Sequence, residues 1–371
     1  MGASNDVVTR LKIHCLSAGI RLAPSVIRRL TRNGEVPLTI HEYPTTGGIT
    51  IRMGDVYLNA SFDEWYCFRS EAVLAQAVDG GFEVRYAREA VPCEVLPLPG
   101  YLGAVNSLGQ PVTDTTMSHC DRIRVSPISG CFLDCGFCDV PTSRYQRHRP
   151  DEILASVEVA KRDRNLPAHH MLISGGSPGP SHFRWFDEMV CAVAAGSGLM
   201  TDVMMSPREG DLTYVHRYSA AGVRGFSLNL EVTGAESAAR IMPRKHARSS
   251  PHIARTIDAA LEAVGGDGRV RSLVIIGLED AETTLRGIEF LARLGCDPVL
   301  SPFRPSRGTP LANLEPPTEE YLLGVYLRAL DIAAAHGVRL GPRCIPCQHN
   351  TLTFPDGTAD YWYSEDLKAS V

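Results

Sequence analysis

The sequence predicts an α/β fold: a partial (β/α)6 barrel of the TIM type behind an N-terminal α+β domain. Two observations lead there. From Asp121 onward, short β-type runs alternate with segments of helical periodicity. The runs are apolar almost throughout, as strands of a parallel sheet covered by helices must be. Residues 1–118 break this rhythm, with alternating apolar and polar runs punctuated by paired glycines. Three units follow: 1–118, an α+β domain suited to substrate or partner contact; 119–342, the barrel; and 343–371, a terminal segment with its own cysteine pair.

The expected barrel strands are 122–126, 171–174, 203–206, 225–231, 273–277 and 298–303, with 338–341 as a candidate seventh. Ile153, Leu154, Val157 and Ala160 share one helical face between them, and Trp185, Phe186, Met189, Val190 and Val193 share the next. Ile253, Ile257, Leu261 and Val264 make a third stripe. Leu285, Ile288 and Leu291 make a fourth, with Asp280 as N-cap and Gly295 as the stop. Thr318, followed by Glu319 and Glu320, opens a helix that Gly337 closes. Nearer the N-terminus, 49–58 and 82–86 read as strands, 24–32 contains a helix, and Gly47-Gly48 and Gly80-Gly81 read as turns. The segments 96–103 and 106–118 look like the junction.

With 37 basic and 42 acidic side chains the net charge is −5, which argues against a generic nucleic-acid binder. Residues 1–8 carry Asp6 and lack an apolar run, so no signal peptide is expected. No apolar stretch approaches the length of a bilayer span. Eleven cysteines in that setting point to a reducing compartment, the cytoplasm, and to metal chemistry rather than a disulfide frame.

The chemistry concentrates in Cys131, Cys135 and Cys138, a C-x₃-C-x₂-C run directly after the first expected strand. Three thiolates leave a tetrahedral zinc site one ligand short, whereas an iron–sulfur cluster tolerates three if its last iron is kept for something else. With Phe137 just before the third cysteine, this run resembles the cluster loop of the radical S-adenosylmethionine (SAM) enzymes. The resemblance implies a four-iron, four-sulfur (4Fe–4S) cluster held by these cysteines, with SAM chelating the open iron. It also implies one-electron cleavage of SAM to a 5′-deoxyadenosyl radical, which takes a hydrogen atom from the substrate.

Further motifs extend the resemblance over roughly 120–355. The second strand runs into Ser174-Gly175-Gly176-Ser177, similar to the family's Gly-Gly-Glu turn that binds the methionyl amino group, with Ser177 in place of glutamate. Paired glycines let the backbone approach a ligand closely. Strand alternation sets Asn229 and Glu231 on one face. By resemblance, Glu231 contacts the ribose or amino group of SAM, and Arg240 or Arg244 holds its carboxylate. The alternative for Glu231 is a structural ion pair at a strand end. The fifth strand resembles the family's adenine-packing segment, which nominates Ile275 or Ile276; core packing would satisfy the same residues. The run 306–310 resembles the Gly-Thr-Pro loop of biotin-synthase-like members. Arg304 and Arg307 rank ahead of other arginines for contact with substrate.

Cys344 and Cys347 form a C-x₂-C pair after the last strand, expected at the barrel mouth. The pair fits a dithiol, half of a zinc site or half of a second iron–sulfur cluster. The last is favoured, with His349, Cys120, Cys15, Cys67 or Cys93 as the missing ligands. The expected function is reductive cleavage of SAM and hydrogen abstraction from a small, nucleotide-like or natural-product substrate, fed by a donor such as flavodoxin or ferredoxin. Sulfur insertion from a sacrificial second cluster and peptide modification are variants. A non-catalytic iron–sulfur or zinc module is the rival reading, and it leaves Glu231 and the glycine turn without a purpose.

Overall fold

The computed structural model describes residues 7–30 and 48–356. Residues 31–32 of the expected helix, Gly47 of the expected turn and 357–371 of the terminal segment lie outside the described residues.

Six parallel strands make the barrel wall: β1 (Arg122–Val125), β2 (His170–Ile173), β3 (Met200–Met205), β4 (Val223–Leu228), β5 (Val270–Ile276) and β6 (Asp297–Pro302). They lie in sequential order, and Thr116–His119 pairs antiparallel on the outer side of β1. That strand belongs to the barrel sheet, so the sheet begins just before the boundary expected at 118. Helices cross between successive strands, as parallel neighbours require. Pro150–Ala160, Phe183–Ser197, Ile253–Val264 and Ala281–Arg293 each bury the apolar face expected of them, and Glu319–Ala335 buries Leu322, Val325, Tyr326, Ala329 and Ala333. Asp280 and Thr318 cap the last two through side-chain oxygens that accept from Thr283 and Tyr321 N–H. The helix Thr213–Ala220 is a difference: it buries only Tyr214, Val215 and Tyr218, too short a stripe for periodicity to show.

No strand forms at 338–341. The chain from 341 to 352 meets the backbone of β6 at two points, Gly341 N–H to the Pro298 carbonyl (2.8 Å) and Leu352 N–H to the Leu300 carbonyl (2.8 Å). Pro298 and Pro302 on β6, and Pro342 and Pro346 opposite, remove the donors that a continuous ladder needs.

The N-terminal part is a six-stranded sheet in the order Arg21–Leu22, Val73–Gln76, Phe82–Tyr86, Glu89–Val95, Ile49–Met53, Val56–Ala60. Its helix Val7–Ala18 lies against Glu319–Ala335. One apolar core runs through both parts, from Leu11 and Leu58 to Val125, Phe226 and Leu322. Lys12, fully buried, donates to the Gln348 (2.9 Å) and Thr353 (2.7 Å) carbonyls. His14 Nδ1 lies 2.6 Å from the Glu319 carboxylate. Among the described residues, no helix is long and apolar enough to cross a membrane.

Candidate active site at the cysteine loop

The loop after β1 and the turn after β2 are built as one object. Phe132 N–H donates to the Ser177 carbonyl (3.0 Å), and Ser177 N–H points at Cys131 Sγ (3.2 Å), as does Leu133 N–H (3.3 Å). Gly176 has to be glycine, because a Cβ there would lie 1.7 Å from the Gly130 carbonyl oxygen. Its close approach is to the cysteine loop, and Gly175 supports the turn with a φ of +124°. Ser177 Oγ lies 3.3 Å from Ser206 Oγ.

From the other side the loop is braced by helices Ala235–Ile241 and Pro243–Ser249 and by the turn after β6. Gly136 N–H donates to the Ile241 carbonyl (2.8 Å), and Leu311 N–H donates to the Gly136 carbonyl (3.2 Å). Cys135 and Phe137 pack on Val232, Ala238, Ile241 and Met242. Arg244 donates to the Phe132 carbonyl (3.2 Å) and its backbone N–H to Asp134 (3.1 Å). Glu279, at the end of the expected adenine segment, accepts from Thr233 and Gly234 N–H (2.7 Å each), capping Ala235–Ile241.

Cys131, Cys135, Cys138 and Phe137 line one cavity together with Gly175, Gly176, Ser177, Asn229 and Glu231. Asn229 faces inward with its Oδ1 taken by Ser227 Oγ (2.7 Å) and Leu273 N–H (3.3 Å). Glu231 sits just past β4 with a left-handed φ of +65°, a conformation that costs a non-glycine residue about 1–2 kcal/mol. Its backbone is pinned there by Leu273 and Ile275, and its carboxylate lies 2.7 Å from Lys245 Nζ.

Three expectations about residues change here. Arg240 and Arg244 do not line the cavity; both are exposed, Arg244 holds the outside of the cysteine loop, and the cation paired with Glu231 on the cavity wall is Lys245. Ile276 is fully buried in the core, because alternation turns it away, and Ile275 lines the cavity in its place. Arg307 is exposed and paired with Glu64 (3.4 Å), whereas Arg304 lines the cavity with its guanidinium on Asn59 and Asn350. By sequence, Lys245 belongs to a basic run with Arg244, His246 and Arg248 that suits a phosphate or carboxylate of the substrate but reads more readily as solvated surface, and no signal separates it from its neighbours.

Burial pushes all three loop thiols up, Cys138 to about 12, so a metal binding there displaces their protons. Three inward cysteines and two backbone N–H groups aimed at one sulfur suit a cluster with one open iron, since the other two cysteines of the cavity lining, Cys344 and Cys347, lie with His170 at the N-terminal ends of the strands.

Residues 125–299 match the family model of the radical SAM superfamily. The chain carries a radical SAM domain. Its cofactors are accordingly a 4Fe–4S cluster and SAM. No curated protein matches the chain. Among solved structures, the radical SAM chain is similar to the FeFe-hydrogenase maturase HydG of Carboxydothermus hydrogenoformans (13% identity, 67% of this chain and 65% of that one, TM-score 0.46). It is also similar to Streptococcus suis SuiB bound to the precursor peptide SuiA (13%, 62% and 51%, 0.48) and to methylornithine synthase PylB (15%, 73% and 90%, 0.44). It thus spans about two thirds of HydG and about half of SuiB.

The second cysteine pair is not at this mouth. Cys344 and Cys347 lie beside Asp121 and His170, at the N-terminal ends of β1 and β2. The expected partners Cys120 and His349 gather separately with His119, and Cys15 and Cys67 are buried in the N-terminal part.

Proposed function

We propose that this radical SAM protein reductively cleaves SAM and abstracts a hydrogen atom from a small-molecule substrate held in the same cavity. One observation carries the reading: the three cluster-loop cysteines, the glycine turn and the buried Glu231–Lys245 pair line a single cavity. A cluster bound there would supply the one electron that reductive cleavage of SAM requires. The protein's own task is positioning and exclusion of water.

Cys131, Cys135 and Cys138 hold the cluster. The backbone of Gly175–Ser177 faces the methionyl group. Lys245 takes the SAM carboxylate, and Glu231 takes the amino group or ribose, so the ion pair between them opens to two new partners of matching charge. Ile275 packs on the adenine. A small flavodoxin- or ferredoxin-type protein delivers the electron.

Anaerobically reconstituted protein, given SAM and a strong reductant, should release 5′-deoxyadenosine, and Cys135→Ala should abolish the release while leaving the fold intact by circular dichroism. Undiminished release from Cys135→Ala would sink the proposal.

A further inference from the structure

We infer that Asp121, His170, Cys344 and Cys347 form a mononuclear zinc site at the end of the barrel opposite the cysteine loop. Their ligand atoms all lie within 4.8 Å of one another. Cys344 Sγ is 3.8 Å from Asp121 Oδ1 and 3.7 Å from His170 Nε2; Cys347 Sγ is 3.5 Å from the same Nε2, which is 3.5 Å from Asp121 Oδ1. A tetrahedral ion with bonds of about 2.0–2.3 Å has ligand-to-ligand edges of about 3.3–3.8 Å. The observed spacings are those edges.

The count and chemistry of the donors point to zinc. Two thiolates, one imidazole and one carboxylate make a closed four-ligand set of the kind zinc takes in structural sites. An iron–sulfur cluster spreads its thiolates over different irons, so a set this compact encloses one ion. The expected second cluster is replaced by this smaller centre. With zinc bound the site carries one net negative charge, and Arg122 Nη1, 3.5 Å from Cys347 Sγ, offsets it. His170, Cys344 and Cys347 are buried, Asp121 nearly so, and the first three also lie along the wall of the cavity.

The four ligands come from three places in the chain: the residue before β1, the first residue of β2, and the terminal segment. Zinc there ties residues 343–348 to the base of the barrel. It is a structural centre, independent of whether SAM is cleaved at the far end.

Zinc K-edge absorption of the wild-type protein tests this without interference from cluster iron. The expected result is one zinc per chain with two sulfur neighbours at about 2.3 Å and two nitrogen or oxygen neighbours at about 2.0–2.1 Å. Full-length protein with Cys131→Ala, Cys135→Ala and Cys138→Ala, stripped by a chelator, should then bind one equivalent of Co²⁺ with the visible bands of a tetrahedral thiolate complex. Adding Cys347→Ser should weaken Co²⁺ at least 100-fold, and the near-isosteric Asp121→Asn should weaken it about tenfold in a chain that still folds. The proposal is overturned by iron and labile sulfide held through Cys344 and Cys347 in the cluster-loop variant, by a four-sulfur zinc shell, or by absence of zinc and of the Co²⁺ bands.

Discussion

Lys245 Nζ stands 2.7 Å from the Glu231 carboxylate, both side chains nearly closed off from solvent, on the wall of the cavity that holds the three cluster cysteines. A buried pair of this kind is a poor source of stability, because desolvation consumes most of the attraction. On the function proposed above, its value lies in presenting a cation and an anion to a zwitterionic ligand. Lys245→Met should therefore weaken SAM binding at least tenfold while leaving about four irons per chain. Equilibrium dialysis with labelled SAM under anaerobic conditions, beside an iron assay, reads both quantities. Unchanged SAM affinity would remove Lys245 from the site.

Two glycines with opposite surroundings give a paired test of loop assembly. Gly176→Ala drives a methyl into the Gly130 carbonyl and should cost several kcal/mol together with cluster occupancy. Gly324 sits within helix Glu319–Ala335 with nothing within 4 Å of an added Cβ, so Gly324→Ala should stabilise by about 0.5–1 kcal/mol. Urea titrations of both variants, with visible absorbance of the reconstituted cluster, check the contrast.

Asp187, almost fully buried, collects Arg208 (2.8 Å), Arg217 (2.9 Å) and the Tyr218 hydroxyl (2.5 Å). Arg208 also lines the cavity, so this cluster fixes one of its walls. Asp187→Ala strands a part-buried guanidinium and should cost about 3 kcal/mol. A shift of the urea midpoint with an unchanged slope would report that loss.

Burial pulls the Lys12 ammonium down from its usual value to about 7. Between about pH 7 and 10.5 the unfolded chain keeps a proton that the folded chain has shed, so Lys12 adds to stability as pH rises through that window. Its contribution is full above the unfolded value and lost as pH falls to about 7. The stability of wild type relative to Lys12→Met should therefore grow from pH 7 to pH 9.5 in denaturant titrations. Parallel pH profiles for the two proteins would contradict the assignment.

The barrel was legible because its strands are apolar runs at regular intervals. Each of the six, such as Leu273–Ile276 within β5, appears within a few residues of its expected place. Cavity residues that stand in recognisable runs at strand ends were legible too: Phe137, Gly175, Gly176 and Ser177 all line the cavity, as do Asn229 and Glu231. What sequence could not supply was distance across the fold. Asp121 and His170 begin neighbouring strands yet stand far apart in the chain, and only the register of β1 against β2 sets them side by side. The direction of 341–352 was equally hidden, because a proline-rich stretch has no periodicity to show which edge it follows.

That stretch is also what stands between β6 and solvent. With only two backbone bonds it covers an edge whose carbonyls would otherwise be offered to any passing strand. Lys12, reaching from the first helix, fastens the same stretch at Gln348 and Thr353. Shortening the chain at either of these contacts would uncover a sticky margin, and the cost would appear as lost solubility before any loss of chemistry.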